Sequence, residues 1–133
     1  MDLIERQILR SIQLKADLPL SELANSVGIS KTACWNRIRK LEEIGVIQGR
    51  HVKLCRFSIG LPVVVFLAIT VRGHTKEWIN QFKKLISEYP QIIEVHRLTG
   101  LGADYQLKIV CKSIEDYDAL QQELIGKIEF NSM

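Results

Sequence analysis

The apolar residues of this chain keep a helical period through the first third and then change to an alternation of strand and helix patterns. Ile4, Ile8 and Ile12 recur every four residues with Leu9 beside them, which predicts a helix ending near Leu14. Asp2 with Glu5 three residues later is a capping-box pattern for its start. Lys15 to Pro19 is a polar turn closed by a residue that cannot continue a helix. A second helix is predicted over Ser21–Val27, with Ser21 as N-cap and Leu23, Ala24 and Val27 on one buried side. Gly28 permits the backbone angle that turns the chain, Ile29 plugs the corner, and Ser30 caps a third helix running from Lys31 to about Ile44. Cys34, Ile38 and Leu41 form its buried stripe, with Ile44 at the margin. Gly45 terminates it, and Val46 and Ile47 are expected to point back into a three-helix core. Gln48–Arg50 reads as a turn. Val52 and Leu54 alternate with Lys53 as a short strand, a wing or a hinge, and Gly60 marks a domain boundary.

From Leu61 to Val71 the chain is almost wholly apolar, which predicts a central strand covered on both faces. Lys76–Glu88 is an amphipathic helix with Trp78, Ile79, Phe82 and Leu85 or Ile86 inward, stopped by Pro90. A strand over Ile92–Leu98 has no clear inner face. A turn at Gly100–Gly102 leads to a strand over Tyr105–Cys111, with Leu107, Ile109 and Cys111 inward. Ser113 caps a helix in which Ile114, Tyr117, Leu120 and Leu124 repeat at helical spacing. Gly126 is expected to end it, and KIEFNSM to begin a short fourth strand at the sheet edge. The order βαββαβ is the ferredoxin-like split pattern. The predicted fold class is α+β: a three-helix, winged-type helix-turn-helix domain over 1–60, then a ferredoxin-like domain over 61–133 with a truncated last strand.

The outer side of the third helix changes the picture from fold to chemistry. It carries Thr32, Trp35, Asn36, Arg39 and Glu43, flanked by Lys31 and Lys40. A tryptophan on a solvent face needs something to cover it. Asn and Arg offer the forked hydrogen bonds that read adenine and guanine edges in the major groove. A helix-turn-helix places the first turns of its second helix in that groove. The alternative is a pair of core helices with an ordinary charged face. Arg50, His51, Lys53 and Arg56 are either phosphate contacts or solvated linker charges, with Arg50 the strongest candidate.

Composition narrows the function classes. The 133 residues are 47% hydrophobic and 25% charged, a globular balance with room for two small domains. Net charge is +3, unevenly placed: residues 1–60 hold ten basic and six acidic side chains, residues 61–133 eight and nine. The positive excess falls with the helix-turn-helix, as phosphate contacts require. No apolar run reaches the roughly 18 residues of a membrane span, and no secretory signal pattern opens the chain. Cys34, Cys55 and Cys111 are scattered without a C-x-x-C, which points to a reducing, cytoplasmic setting and no metal or other cofactor. No nucleophile–base pair or carboxylate cluster suggests an enzyme, and His51, His74 and His96 lie far apart.

IERQIL, LSELANSVGIS, TACWNRIRKLEEIGVIQG, SIGL, HRLTG and ADYQLKIV together resemble the Lrp/AsnC family, the leucine-responsive or feast/famine regulators, over essentially the whole chain. The segment around Cys34, Arg37 and Leu41 to Ile47 is the specific part. The resemblance implies a DNA-reading domain joined to a ferredoxin-like domain, assembly into homodimers or higher even oligomers, and a small amino acid bound between subunits. It implies DNA contacts at Ser30, Thr32, Trp35, Arg37 and Arg39. Arg37, near the edge of the buried face, is expected to position phosphates, and Arg39 to read a base. Lys31 and Ala33 stand where the family often has prolines, and Asn36 where a second arginine is usual, which alters the expected base preference.

The family's effector loop, typically T-G-D-x-D-Y, is here Thr99-Gly100-Leu101-Gly102-Ala103-Asp104-Tyr105, one residue longer and without the first aspartate. Thr99 to Asp104 is the candidate effector site. Backbone N–H groups around Gly100 and Gly102 would hold a carboxylate and Asp104 an ammonium group; the alternative is a plain β-turn. The expected partners are double-stranded DNA, a second copy of the chain and an amino-acid effector, with no membrane. The competing readings are an enzyme resembling the sirohaem decarboxylases of similar architecture, and an assembly module without DNA binding.

Overall fold

The computed structural model describes residues 1–100, 102–127 and 130, and the chain divides into two compact units, Met1–Lys53 and Leu54–Met133. The first is three helices: α1 (Leu3–Leu14), α2 (Leu20–Val27) and α3 (Lys31–Glu43). Asp2 caps α1 reciprocally. Its Oδ1 accepts from the Glu5 N–H at 2.7 Å, and Glu5 Oε2 accepts from the Asp2 N–H at 2.9 Å. α2 starts one residue earlier than expected. Pro19 is its N-cap, with φ −56°, and Ser21 lies inside the helix with no capping bond. The fixed proline angle sets the direction in which the helix starts and leaves its first N–H groups without a side-chain cap. Gly28 ends α2 at φ 74°, its N–H returning to Ala24 and Asn25 carbonyls, a left-handed position that favours glycine. Ile8, Leu23, Ala24, Cys34 and Ile38 form the core, with Ile4, Ile12, Leu20, Val27, Ile29 and Ile47 packed around it. Val46 departs from expectation: its N–H closes the end of α3 on the Leu41 carbonyl at 2.9 Å, but its side chain is exposed.

The short strand expected at Val52–Leu54 does not form. Residues 50–60 are exposed throughout, Val52 by 84%, and residues 56–60 make a turn closed by the Leu61 N–H on the Arg56 carbonyl at 2.8 Å. Alternation alone does not make a strand when no edge is offered to it.

The second unit has β1 (Val63–Ile69), α4 (Lys76–Glu88), β2 (Ile92–Arg97), β3 (Tyr105–Cys111) and α5 (Ile114–Lys127). The strands form an antiparallel sheet in the order β1-β3-β2, the order the split pattern requires. β3 pairs with β1 from Val63↔Cys111 to Ile69↔Tyr105. Its pairing with β2 shifts register between Ile92 and Glu94. Ile92, just before that shift, is inward, while Ile93 and Val95, which alternate with polar residues along β2, are exposed. Leu67, Ile69, Phe82, Leu85, Tyr89, Ile92, Leu107, Ile109, Cys111, Leu120 and Leu124 make one core between the helices and one sheet face.

The other sheet face is open, which corrects the expectation of a strand covered on both sides. Phe66 is 60% exposed and Ala68 is also exposed. Ser113 caps α5 as expected, its Oγ accepting from the Asp116 N–H at 3.1 Å, but Ile114 is exposed. Gly126 does not end this helix, which continues to Lys127. There Lys127 Nζ lies 3.2 Å from Glu88 Oε2. The fourth strand expected from there on lies, apart from Phe130, outside the described residues. Phe130 packs against Trp78 and Phe82.

Candidate nucleic-acid interface and effector loop

Ser30 starts α3 by accepting the Ala33 N–H at 3.1 Å. With Cys34, Ile38 and Leu41 turned into the core, helical geometry leaves Lys31, Thr32, Trp35, Asn36, Arg39, Lys40 and Glu43 exposed. Trp35, at 50% exposure, lies between the hydroxyl of Thr32 and the guanidinium of Arg39 in sequence and on the same side of the helix. Arg39 Nη2 is 3.4 Å from Glu43 Oε1, a loose i,i+4 pair, and Arg50 Nη2 is 3.2 Å from Glu42 Oε1. Both pairs are exposed, and such pairs hold their partners weakly, so each guanidinium is available to a stronger anion.

Arg37 is placed differently. Its Nη1 bonds Asp2 Oδ2 and lies 3.8 Å from Glu5 Oε1, while Lys40 Nζ is 3.9 Å from the same Glu5 oxygen. The Glu5 N–H bond and the Arg37 guanidinium hold the Asp2 carboxyl below the usual aspartate range, and the Asp2 bond raises Arg37 above its own. The capping box is legible in the sequence; its partner 35 positions away is not.

In the second unit the loop from Thr99 to Asp104 is fastened to the end of β1. The Asp104 N–H donates to the Ile69 carbonyl at 2.8 Å, and Asp104 Oδ2 accepts from the Val71 N–H at 2.7 Å. Thr70 Oγ1 donates to the Gly102 carbonyl at 3.1 Å. Gly100 and Gly102 have φ of 142° and 100°, angles that side chains resist. Ala103 is half-buried, Thr99 is exposed, and Leu101 lies outside the described residues. One Asp104 oxygen is therefore committed to the backbone. The other, Oδ1, lies 3.9 Å from His74 Nε2. His74 sits 5.6 Å from the Tyr105 ring and 6.4 Å from Trp78, a neighbourhood that nothing in the spacing of these residues announces. An open groove of about 550 Å³ lies beside it, lined by Arg72, Gly73, Thr75, Trp78 and Phe130.

Among the described residues no group of three His, Cys, Asp or Glu side chains could hold a metal ion, and no helix is long and apolar enough to cross a membrane. Burial pushes the Cys34 and Cys111 thiols up, as expected of small core residues.

Comparison with known proteins places both units. Residues 1–48 match the family model for winged helix-turn-helix DNA-binding domains, and residues 64–132 the model for the Lrp/AsnC ligand binding domain. The chain is 38% identical over 133 residues to the HTH-type transcriptional regulator Zrp of Zymomonas mobilis, covering 100% of this chain and 86% of that protein. It is 29% identical to the DNA-binding transcriptional activator DecR of Escherichia coli, over 96% of this chain and 84% of that protein. Among solved structures, an AsnC family transcriptional regulator from Agrobacterium tumefaciens superposes with a TM-score of 0.89 at 39% identity, covering 99% of this chain and 86% of that one. A Neisseria meningitidis regulator solved as an L-Met complex shares the fold, with a TM-score of 0.89 at 22% identity over 99% of this chain and 85% of that one.

Proposed function

Because this chain belongs to the Lrp/AsnC family of helix-turn-helix transcriptional regulators, and is not an enzyme, we propose that it reads a specific duplex sequence through α3 and answers to a small amino acid. The observation that carries the reading is the division of α3 into two faces, with Cys34, Ile38 and Leu41 buried and Trp35, Asn36 and Arg39 exposed. Residues 1–60 read DNA and residues 61–133 assemble and bind the effector, in the cytoplasm. Ser30 and Thr32 hydroxyls and the cations of Lys31 and Arg50 anchor the sugar-phosphate backbone; Asn36 and Arg39 reach base edges, and Trp35 packs on sugar or thymine methyl groups.

A second copy covers the open sheet face, where Phe66 and Ala68 sit beside Val64 on β1. Two reading helices then enter successive major grooves, with half-sites about 10 bp apart or a multiple of that. Fluorescence anisotropy against the chain's own upstream DNA and a scrambled duplex, at two salt concentrations, tests the reading. Tighter binding to the native duplex at both salts is expected; no binding at low salt would sink it. Arg39→Ala is expected to relax preference at one base position at a cost of roughly 1–3 kcal/mol. An equal loss on every sequence would contradict base reading.

The effector sits at Thr99–Asp104, with backbone N–H groups near Gly100 and Gly102 on its carboxylate and Asp104 Oδ1 toward its ammonium group. L-methionine, the ligand named for the Neisseria structure, heads the candidates. Thermal shift against the twenty amino acids is expected to show a rise with one of them that Asp104→Ala removes. No rise with any would leave the loop a turn.

A further inference from the structure

Four carboxylate oxygens at the start of α1 have separate tasks. Asp2 Oδ1 and Glu5 Oε2 each accept a backbone N–H of the other residue and so fix both carboxylates in place. The remaining two, Asp2 Oδ2 and Glu5 Oε1, face Arg37 and Lys40, one helical turn apart on α3. Glu5 is buried, and Arg37 is half-sheltered. A cleft between the helices is lined by these four residues with Ala33 and Asn36. The core stripe sets how closely α3 approaches α1. The ion pairs lie to one side of that stripe and add directional contacts between the two helices.

We propose that Asp2 and Glu5, acting through Arg37, are positioning residues for the reading helix: they fix the rotation of α3, and so the aim of Asn36 and Arg39, while Arg37 stays off the DNA. The proposal rests on the DNA-reading role of α3 and replaces a phosphate contact at Arg37. A phosphate there would have to compete with two carboxylates already in place, with the like charge of Asp2 beside it.

Asp2→Asn with Glu5→Gln tests it, because asparagine is as good an N-cap as aspartate and glutamine completes a capping box. The helix start is kept and both charges facing Arg37 are removed. The variant is expected to fold and to melt modestly below the wild type, while its ratio of native to scrambled-duplex affinity falls about tenfold. Charge alone predicts the reverse, since deleting two anions near DNA tightens binding to both duplexes equally. That result, with the ratio unchanged, would overturn the proposal.

Arg37→Ala is expected to lower the same ratio and leave the log–log salt slope as it was. A slope reduced by about one per copy with the ratio intact would make Arg37 a phosphate contact. A wild-type ratio of one fails the regulator reading and not this one, which hydrogen exchange without DNA then decides. Faster exchange of the α3 amides in Asp2→Asn/Glu5→Gln upholds it; unchanged protection overturns it.

Discussion

Replacing Ile8 with alanine is expected to abolish operator binding although Ile8 lies on α1 and not on the reading helix. The side chain is 0% exposed and belongs to a small core shared by α1, α2 and α3. Truncating a buried isoleucine costs roughly 2–5 kcal/mol, the upper part of the range when the site cannot collapse. A unit of about 50 residues has a total stability of only about 3–8 kcal/mol. The loss therefore takes most of what holds α3 in place. The two tryptophans make this measurable, since Trp35 lies in the first unit and Trp78 in the second. In a Trp78→Phe background, the Trp35 fluorescence transition of the Ile8 variant should move to much lower denaturant. The complementary background, carrying Trp35→Phe, should show the Trp78 transition unmoved. Equal shifts of both probes would mean that the two cores unfold as one, against the separation seen here.

Raising salt from 50 to 200 mM is expected to weaken operator binding by a factor of about 10³. Lys31, Arg39 and Arg50 from each copy bring about six cations to the duplex of a dimer, for a log–log slope of about −5, while the Ser30 and Thr32 hydroxyls add backbone contacts but no charge. The charge placement supports the sign, since the basic excess lies wholly in residues 1–60 and the remainder is slightly acidic. The exposed pairs Arg39–Glu43 and Arg50–Glu42 exchange one carboxylate for a phosphate on binding, which moderates the slope without reversing it. Anisotropy titrations at five or six salt concentrations give the slope directly. A flat dependence would remove phosphate contacts from the account and with them the placement of α3 in a groove.

Three helix starts, two in the first unit and one in the second, are legible because their signals are local. Asp2 with Glu5, Ser30 before Lys31 and Ser113 before Ile114 each specify a helix start within four residues. The buried stripe of Cys34, Ile38 and Leu41 is likewise set by a single period. What escaped the sequence depends on partners far along the chain. Arg37 has the spacing of an edge residue, and only the fold brings it to Asp2. Val52 and Leu54 alternate like a strand, but no neighbouring strand accepts them. Pro19, not Ser21, stands at the start of α2, because either residue type is found at a helix start and spacing does not choose between them.

In the second unit, the alternation of Ile93 and Val95 does not name the inner face of β2, because the register shift at Ile92–Glu94 puts Ile92 inward instead. Of the effector loop, the two glycines were readable as turn residues. The commitment of Asp104 to the Val71 N–H, and the approach of His74, were not. The apolar run of β1 predicts a strand covered on both faces, and its open side is where the sequence and the single chain disagree. The residues there are apolar enough to be buried, and within this chain only one face of the sheet is.

Between the two cores, residues 50–60 run exposed and without a strand partner. For a dimer of this chain that stretch is a tether, and the dimer is a bivalent ligand for DNA. Once one head is seated, the second searches a small volume at an effective concentration set by the length and stiffness of the tether, not by the bulk protein concentration. Avidity of this kind needs no contact beyond those of a single head. It vanishes when the spacing of half-sites exceeds what the tether can span, so that a segment touching neither base nor effector takes part in choosing the operator.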